Sequence, residues 1–302
     1  MKTITVFTPT YNRAHCLTIL YDSLLRQTSD DFEWLVIDDG SVDETKQLVQ
    51  GWIDEGRIPI TYKYKENGGM HTGHNTAYAM ISTELNVCID SDDYLPDDGI
   101  EKMITLWRRD GSNKYAGMIG LDVTIKGAVI GTQFPEGLKE CTYSELAPRY
   151  KVVADKKLVY RTEVVKKYEP YPVFPDERFV PLYFPIVIDR DYKVLCYNEV
   201  FCIVDYQPDG STIGIFKSYF RNPKGFAHSR KIEMIYDPFW KRKVKSAMHY
   251  VANAIMTKNA NFLSESPKKL LTFLSIPGGV ALYLYLNRKK NQDRDISKGY
   301  KR

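Results

Sequence analysis

The chain has 302 residues, 43% hydrophobic and 26% charged, with a net charge of +4. That is enough for one large domain or a domain plus an appendage, and too weakly basic to argue for a nucleic-acid partner. Its five cysteines are odd in number and lie scattered without metal-ligand spacing, which argues against a disulfide framework and for a reducing cytoplasm.

Met1 to Phe7 enters a strand directly, without the long apolar core of a signal peptide. Ile4-Thr5-Val6-Phe7 is β-branched and aromatic, hence a strand. Pro9 has no N–H for a sheet ladder and is expected to end it. From Ala14 to Gln27, Leu17, Leu20, Leu24 and Leu25 follow helical spacing. Trp34 to Ile37 reads as the second strand and runs into Asp38-Asp39-Gly40-Ser41. Ser41 with Glu44 has the spacing of a capping box, opening a helix with Leu48, Val49, Trp52 and Ile53 on one face. Ile58 to Lys65 is the third strand and Glu66-Asn67-Gly68-Gly69 a turn. His71 to Ser82 reads as a helix, Leu85 to Ile89 as the fourth strand, and Pro96 to Arg109 as a helix with Pro96 in its first turn.

This alternation implies a mostly parallel sheet with helices on both faces. Ligands bind such sheets outside the carboxyl ends of the strands. The unusual polar residues fall at those ends: Thr8 to Arg13, Asp38 to Ser41, Glu66 to Asn75, and Asp90 to Asp93. In the last cluster, three carboxylates in four residues cannot be buried unpaired. They suit a hard cation, Mg²⁺ or Mn²⁺, with phosphate as co-ligand. A solvated turn with Asp93 or Asp97 as helix cap would use the same residues.

Beyond Tyr115 the pattern changes. Met118 to Val123 and Ala128 to Phe134 read as strands joined through Lys126-Gly127. A helix starts at Thr162. Pro170 to Pro175 forbids regular structure, and Asp176-Glu177-Arg178 follows. Tyr192 to Tyr206 reads as strands interrupted near Asn198-Glu199. Pro238 to Phe262 is helical, and Ser266-Pro267 opens a further helix that Pro277-Gly278-Gly279 interrupts before Val280 to Leu286. Leu270 to Leu286 falls short of the roughly twenty apolar residues of a spanning helix. Flanked by Lys268, Lys269, Arg288, Lys289 and Lys290, it fits an interfacial segment on anionic lipid. A packed helical hairpin or an oligomer contact fits equally.

Four motifs, in this order and at these intervals, carry a resemblance: Thr8-Pro9-Thr10-Tyr11-Asn12-Arg13, Val36-Ile37-Asp38-Asp39-Gly40-Ser41, Asn67-Gly68-Gly69 with His74-Asn75, and Asp90-Ser91-Asp92-Asp93. Together they resemble the family-2 glycosyltransferases of bacteria, which are inverting and have the glycosyltransferase-A fold. The resemblance implies that Thr8, Pro9, Tyr11 and Arg13 line a nucleotide, with Tyr11 beside the base. It implies that Asp39 accepts a hydrogen bond from a uracil ring, although helix-entry chemistry would also place an acid there. Asn67 would contact base or ribose, unless it serves only an Asn-Gly turn. Asp92 would reach a metal and Asp90 the ribose or the metal shell, with Ser91 between them on the donor side. His71 and His74 would meet the diphosphate at a helix start, or else be surface histidines.

The family's base is usually an Asp of a Glu-Asp pair. Here Arg178 takes the second place of that pair, so Glu177 is the expected base and Asp176 the alternative. A helix start enriched in acids accounts for the same residues.

The resemblance thus implies a glycosyltransferase-A catalytic domain over residues 1–210, a Rossmann-like mixed sheet flanked by helices. Residues 211–302 form a helical region that associates with membrane or oligomerises. The implied function is metal-dependent (Mn²⁺ or Mg²⁺) transfer from a nucleotide-sugar, a UDP-sugar, to a bacterial surface-polysaccharide or lipid-linked acceptor. The setting is the cytoplasm or the inner face of the cell membrane, with peripheral membrane contact through 266–290. The rival readings are a sugar-phosphate nucleotidyltransferase and a non-catalytic nucleotide- or carbohydrate-binding module.

Overall fold

The computed structural model describes residues 2–205 and 217–299, with side chains through residue 290. The chain divides into two compact units, Met1–Val173 with Val187–Ile213, and Phe174–Ile186 with Gly214–Arg302. The expected boundary at 210/211 lies outside the described residues.

In the first unit, a β-α alternation builds a sheet ordered β3-β2-β1-β4-β8-β6-β9-β5, with β7 paired to β9. The leading strands β1 (Ile4–Thr10), β2 (Phe32–Asp38), β3 (Ile60–Tyr64) and β4 (Leu85–Cys88) are parallel. The remaining strands are β5 (Asp93–Tyr94), β6 (Tyr115–Thr124), β7 (Glu140–Cys141), β8 (Lys156–Arg161) and β9 (Lys193–Val204). β8 runs antiparallel between β4 and β6, which makes the sheet mixed.

The crossover helices α1 (Ala14–Leu25), α2 (Thr45–Glu55), α3 (Met70–Met80) and α4 (Gly99–Asp110) close its faces. Leu17, Leu20, Tyr21 and Leu24 repeat at helical spacing and bury one stripe of α1. The stripe belongs to a core with Trp34, Trp52, Met103, Trp107 and Phe201. Each such side chain, fully buried, contributes about 1.5–3 kcal/mol. Tyr21 stacks on Trp52 with ring centroids 4.3 Å apart.

Several expectations are corrected. β1 continues through Pro9, because Pro9 stands on the side facing β4 and β4 pairs only as far as Phe7. The missing N–H therefore costs no ladder bond. The Ser41–Glu44 capping box does not form: Ser41 Oγ accepts the Asn12 N–H (2.9 Å), and Asp43 takes the Thr45 N–H (3.1 Å). Pro96 stands before α4, its carbonyl accepting the Gly99 N–H at 2.8 Å. Residues 128–134 form a single bridge, Val123 to Val129, and no strand. Gly127 and Gly131, with φ of +77° and +72°, turn the chain away from extended pairing there. The interruption at Asn198-Glu199 is a bulge inside β9: an advance of two residues along β6, from Ile119 to Leu121, is matched by an advance of four along β9, from Cys196 to Val200.

In the second unit, helices Pro223–Tyr236, Trp240–Met256, Lys269–Leu274 and Ile276–Gly299 enclose Met234, Ala247, Tyr250 and Leu271. The helix breaks at Ser275, two residues before Pro277, and the Pro-Gly-Gly run itself belongs to the next helix. Pro277 occupies the first turn of Ile276–Gly299, where its missing N–H is harmless. A Cβ on Gly279 would lie 2.4 Å from that of Val251. The glycine is thus what lets this helix lie directly against Trp240–Met256.

Candidate functional site

β1 lies between β2 and β4, so strand order reverses at β1. A crevice opens at such a switch point, outside the carboxyl ends of the strands. The loops leaving β1, β2 and β4, together with the turn leading from β3 into α3, carry the polar clusters.

Two of these loops are tied to each other. Asn12 takes a positive φ of 54°, donates its N–H to Ser41 Oγ (2.9 Å) and accepts the Val42 N–H on its side-chain oxygen (2.8 Å). Tyr11 beside it is exposed. Thr8 does not face the crevice with its side chain, because its hydroxyl accepts the Trp34 indole N–H at 3.0 Å. Thr10, two residues on, is buried with a hydroxyl that has no hydrogen-bond partner.

Asp38 accepts the Ser41 N–H (2.7 Å) and the Tyr62 hydroxyl. Asp39 is buried and organises the neighbouring turn. Its oxygens accept the N–H groups of Gly68 (2.9 Å) and Gly69 (2.7 Å), and Lys65 pairs with it. Asn67 donates its side-chain amide to the Asp39 carbonyl at 2.9 Å. Gly40 is needed at its φ of +87°, since a Cβ there would lie 2.8 Å from the Asn67 nitrogen. The expected uracil acceptor is therefore also the anchor of the turn that opens α3.

Both histidines of α3 are buried, which removes the reading of them as surface residues. His74 is packed edge-on to Phe7, with Nδ1 3.3 Å from the Tyr78 hydroxyl and Nε2 3.8 Å from Cys88 Sγ. The His71 ring is set against the Pro172 carbonyl, which accepts its N–H. Burial pushes both down to about 4, so both are neutral at pH 7. Asn75 clamps the backbone of Tyr171 through two 2.8 Å bonds.

The acidic turn closes through the Asp93 N–H, which donates to the Asp90 carbonyl at 3.0 Å. Asp90 and Asp92 are partly exposed, and Ser91 and Asp93 are buried. Among the described residues no group of three or more His, Cys, Asp or Glu converges to hold a metal. Two hard carboxylates nonetheless match what Mg²⁺ takes from a protein when phosphate oxygens complete its shell. Asp90 and Asp92 fit such a cation together with a diphosphate. Sequence reasoning missed Lys157, a charged residue in a strand, which lies 3.7 Å from Asp93.

In the second unit, Glu177 is buried and accepts the N–H groups of Lys224 (2.8 Å) and Gly225 (2.7 Å) at the start of Pro223–Tyr236. Burial raises its pKa, and the two N–H bonds oppose that shift without cancelling it. Asp176 is exposed and pairs with Lys224 at 2.6 Å, which lowers its pKa. The Arg178 N–H is fixed by the Asn222 side chain at 2.8 Å.

Residues 5–121 match the family model for glycosyl transferase family 2. Over 186 residues the chain is 26% identical to the poly(ribitol-phosphate) beta-N-acetylglucosaminyltransferase TarS of Staphylococcus aureus, covering 59% of this chain and 30% of that protein. It is 29% identical over 140 residues to the chondroitin synthase of Pasteurella multocida, covering 45% and 14%. The matches thus span less than a third of these relatives' length. The crystal structure of S. aureus TarS 1-349 in complex with UDP-GlcNAc is similar with a TM-score of 0.60 at 15% identity, covering 97% of this chain and 92% of that one. The mannosyltransferase PcManGT from Pyrobaculum calidifontis, in complex with GDP-Man and Mn2+, is similar with a TM-score of 0.54 at 16% identity, covering 93% and 87%. At these identities the likeness is one of fold, the glycosyltransferase-A fold.

Proposed function

We propose that this chain, whose residues 5–121 match glycosyl transferase family 2, transfers a sugar from a nucleotide-sugar donor to a hydroxyl of a glycan. The observation that carries this is the set of polar clusters at the β1/β4 switch point, with Asp90 and Asp92 at the end of β4. A UDP-sugar is the donor we favour, supported by the UDP-GlcNAc bound to the staphylococcal structure. The acceptor proposed is a bacterial surface polysaccharide or its lipid-linked precursor, supported by the polymer-building names of the relatives. No observation favours a sugar-phosphate nucleotidyltransferase or a non-catalytic module.

In this reading Tyr11 stacks on the base, and Asp39 holds the base-binding turn while keeping one acceptor position for the ring N–H. Arg13 and Asn67 complete the nucleotide side. His71, buried in the first turn of α3 and neutral, meets the diphosphate. Asp92 and Asp90 would hold Mn²⁺ or Mg²⁺. When bound, that cation supplies positive charge against the leaving diphosphate. For inversion, Glu177 would take the acceptor proton, its burial making it a stronger base than a free glutamate; Asp176 is the alternative.

Among the described residues no helix is long and apolar enough to cross a membrane. Peripheral contact through 266–290 at the inner face of the cell membrane is the further part of the proposal. It is supported by an exposed apolar stripe with basic ends.

The deciding experiment is UDP release from a panel of UDP-sugars, with Mn²⁺, Mg²⁺ or EDTA, alongside a thermal-shift series with UDP-, GDP-, CDP- and dTDP-sugars. Donor binding raises Tm. A protein that no nucleotide-sugar stabilises and that releases no nucleotide refutes the reading.

A further inference from the structure

The run Asp90-Ser91-Asp92-Asp93 poses a physical problem. Three carboxylates this close repel one another, and two suffice for a cation shared with a diphosphate. Asp93 is turned away from its neighbours into the sheet. Its Oδ2 lies 3.7 Å from Lys157 Nζ, with the two side chains only 8% and 13% exposed. Asp122 on β6 is buried in the same neighbourhood, and its Oδ1 has no hydrogen-bond partner.

Topology explains why a lysine stands here. β8 lies between β4 and β6. Val159 pairs with Val87, and Lys157 is two residues further along β8, level with the point where β4 gives way to the acidic turn. Burial alone would discharge this ammonium. Cys202, Asp122, Asp93 and Asp90 together more than reverse that effect. Beside it the Cys202 thiol also donates to Asp93 Oδ2 at 3.7 Å.

We propose that Lys157 is the positioning residue of the acidic turn: its buried ammonium draws Asp93 inward and leaves Asp90 and Asp92 as the pair facing the cation and the donor diphosphate. This rests on the reading of Asp90 and Asp92 as cation ligands. Without Lys157, Asp93 loses its counter-charge, and turning outward puts it beside the other two. The turn then binds a cation more tightly and in the wrong place.

The test titrates Mn²⁺ into nucleotide-free full-length protein, following free Mn²⁺ by electron paramagnetic resonance, with turnover and Tm measured in parallel. Lys157→Met should tighten Mn²⁺ binding on the order of 10-fold, as expected when a low-dielectric site loses a nearby cation, while turnover falls. Lys157→Met/Asp93→Asn removes both charges and should bring both readouts back to near wild type. Asp93→Asn alone leaves the ammonium to Asp90 and should weaken Mn²⁺ binding, which keeps the idea testable should Lys157→Met not fold. A merely structural lysine would lower Tm in Lys157→Met, leave Mn²⁺ affinity unchanged and show no rescue; that result overturns the proposal. If wild type binds no Mn²⁺, or Asp92→Ala does not weaken it, the cation reading itself fails and takes this inference with it. Loss in Asp92→Ala with no change in the Lys157 and Asp93 variants overturns the positioning role alone.

Discussion

The Glu177 carboxylate accepts the backbone N–H of Gly225 at 2.7 Å, across 48 residues of chain. With the Lys224 N–H on its other oxygen, Glu177 satisfies the two donors left open at this helix start, since Pro223 has no N–H and the Asn222 N–H goes to the Ser218 carbonyl. A residue expected as a base thus also holds the Pro223–Tyr236 helix.

Glu177→Gln tests both roles. The amide keeps one acceptor and turns its NH₂ toward a second N–H donor. Losing that charge-assisted bond should cost about 1.5–3 kcal/mol, read as a lower Tm. If Glu177 is also the base, kcat should fall on the order of 10²-fold or more with little change in donor KM. A lower Tm with near-normal kcat, and loss of turnover in Asp176→Asn, would move the base to Asp176.

If Asp92 holds the cation as proposed, Asp92→Ala removes an oxygen ligand and should abolish transfer. UDP binding followed by calorimetry with and without Mn²⁺ is the check. Metal-dependent binding that survives in the variant would leave Asp92 as a turn residue only.

Much of the fold was readable because β1 to β4 alternate with helices whose apolar spacing is regular, and because the punctuating residues carry the polar clusters. What was not readable is long-range. Lys157 sits in a short strand, and nothing adjacent in sequence announces Asp93 as its partner. Glu177 looks like a local helix-start acid, yet the helix it caps begins 46 residues later at Pro223. Thr8 belongs to a motif expected to line a nucleotide, but alternation along β1 turns its hydroxyl to Trp34. The Pro-Gly-Gly run was read from local propensity as a break. The break falls at Ser275 instead, and the glycines continue in the next helix on the face that meets Met248 and Val251.

The buried histidines give a pH dependence of stability. His71 and His74 titrate near 4 in the folded protein, against about 6.5 unfolded. Between those values the unfolded state binds more protons, so stability rises with pH, and it falls as pH drops from about 6.5 toward 4. Above 6.5 these residues contribute no slope. Denaturant midpoints at pH 7.5, 6 and 5 should decrease in that order, and His74→Gln should flatten the decrease. An unchanged slope in that variant would show that His74 is not the group titrating.

On the Lys269–Leu274 and Ile276–Gly299 helices, Leu270, Phe273, Leu274, Val280, Leu284 and Tyr285 are exposed, Leu270 by 73% and Leu274 by 67%. Leu271, by contrast, turns inward to Tyr250 and Met234. Lys268 and Lys269 stand at one end, Arg288 and Lys289 at the other, all exposed. Apolar side chains in the acyl boundary with cations among anionic headgroups is the pattern of an interfacial helix. Deleting the segment would be a poor test, because Gly279 seats Ile276–Gly299 against Trp240–Met256 and its loss opens the helical core. Leu274→Glu and Leu284→Glu act on exposed positions and should leave Tm unchanged. Full-length protein should co-sediment with phosphatidylglycerol-rich vesicles at low salt and be released as salt screens the headgroups. Each substitution should reduce that binding on the order of 10-fold, from lost apolar burial plus added repulsion, with UDP release to water unaffected. If the protein ignores vesicles but light scattering gives a multiple of the chain mass that Leu274→Glu reduces to one, the stripe is a contact between copies, and the membrane reading is wrong.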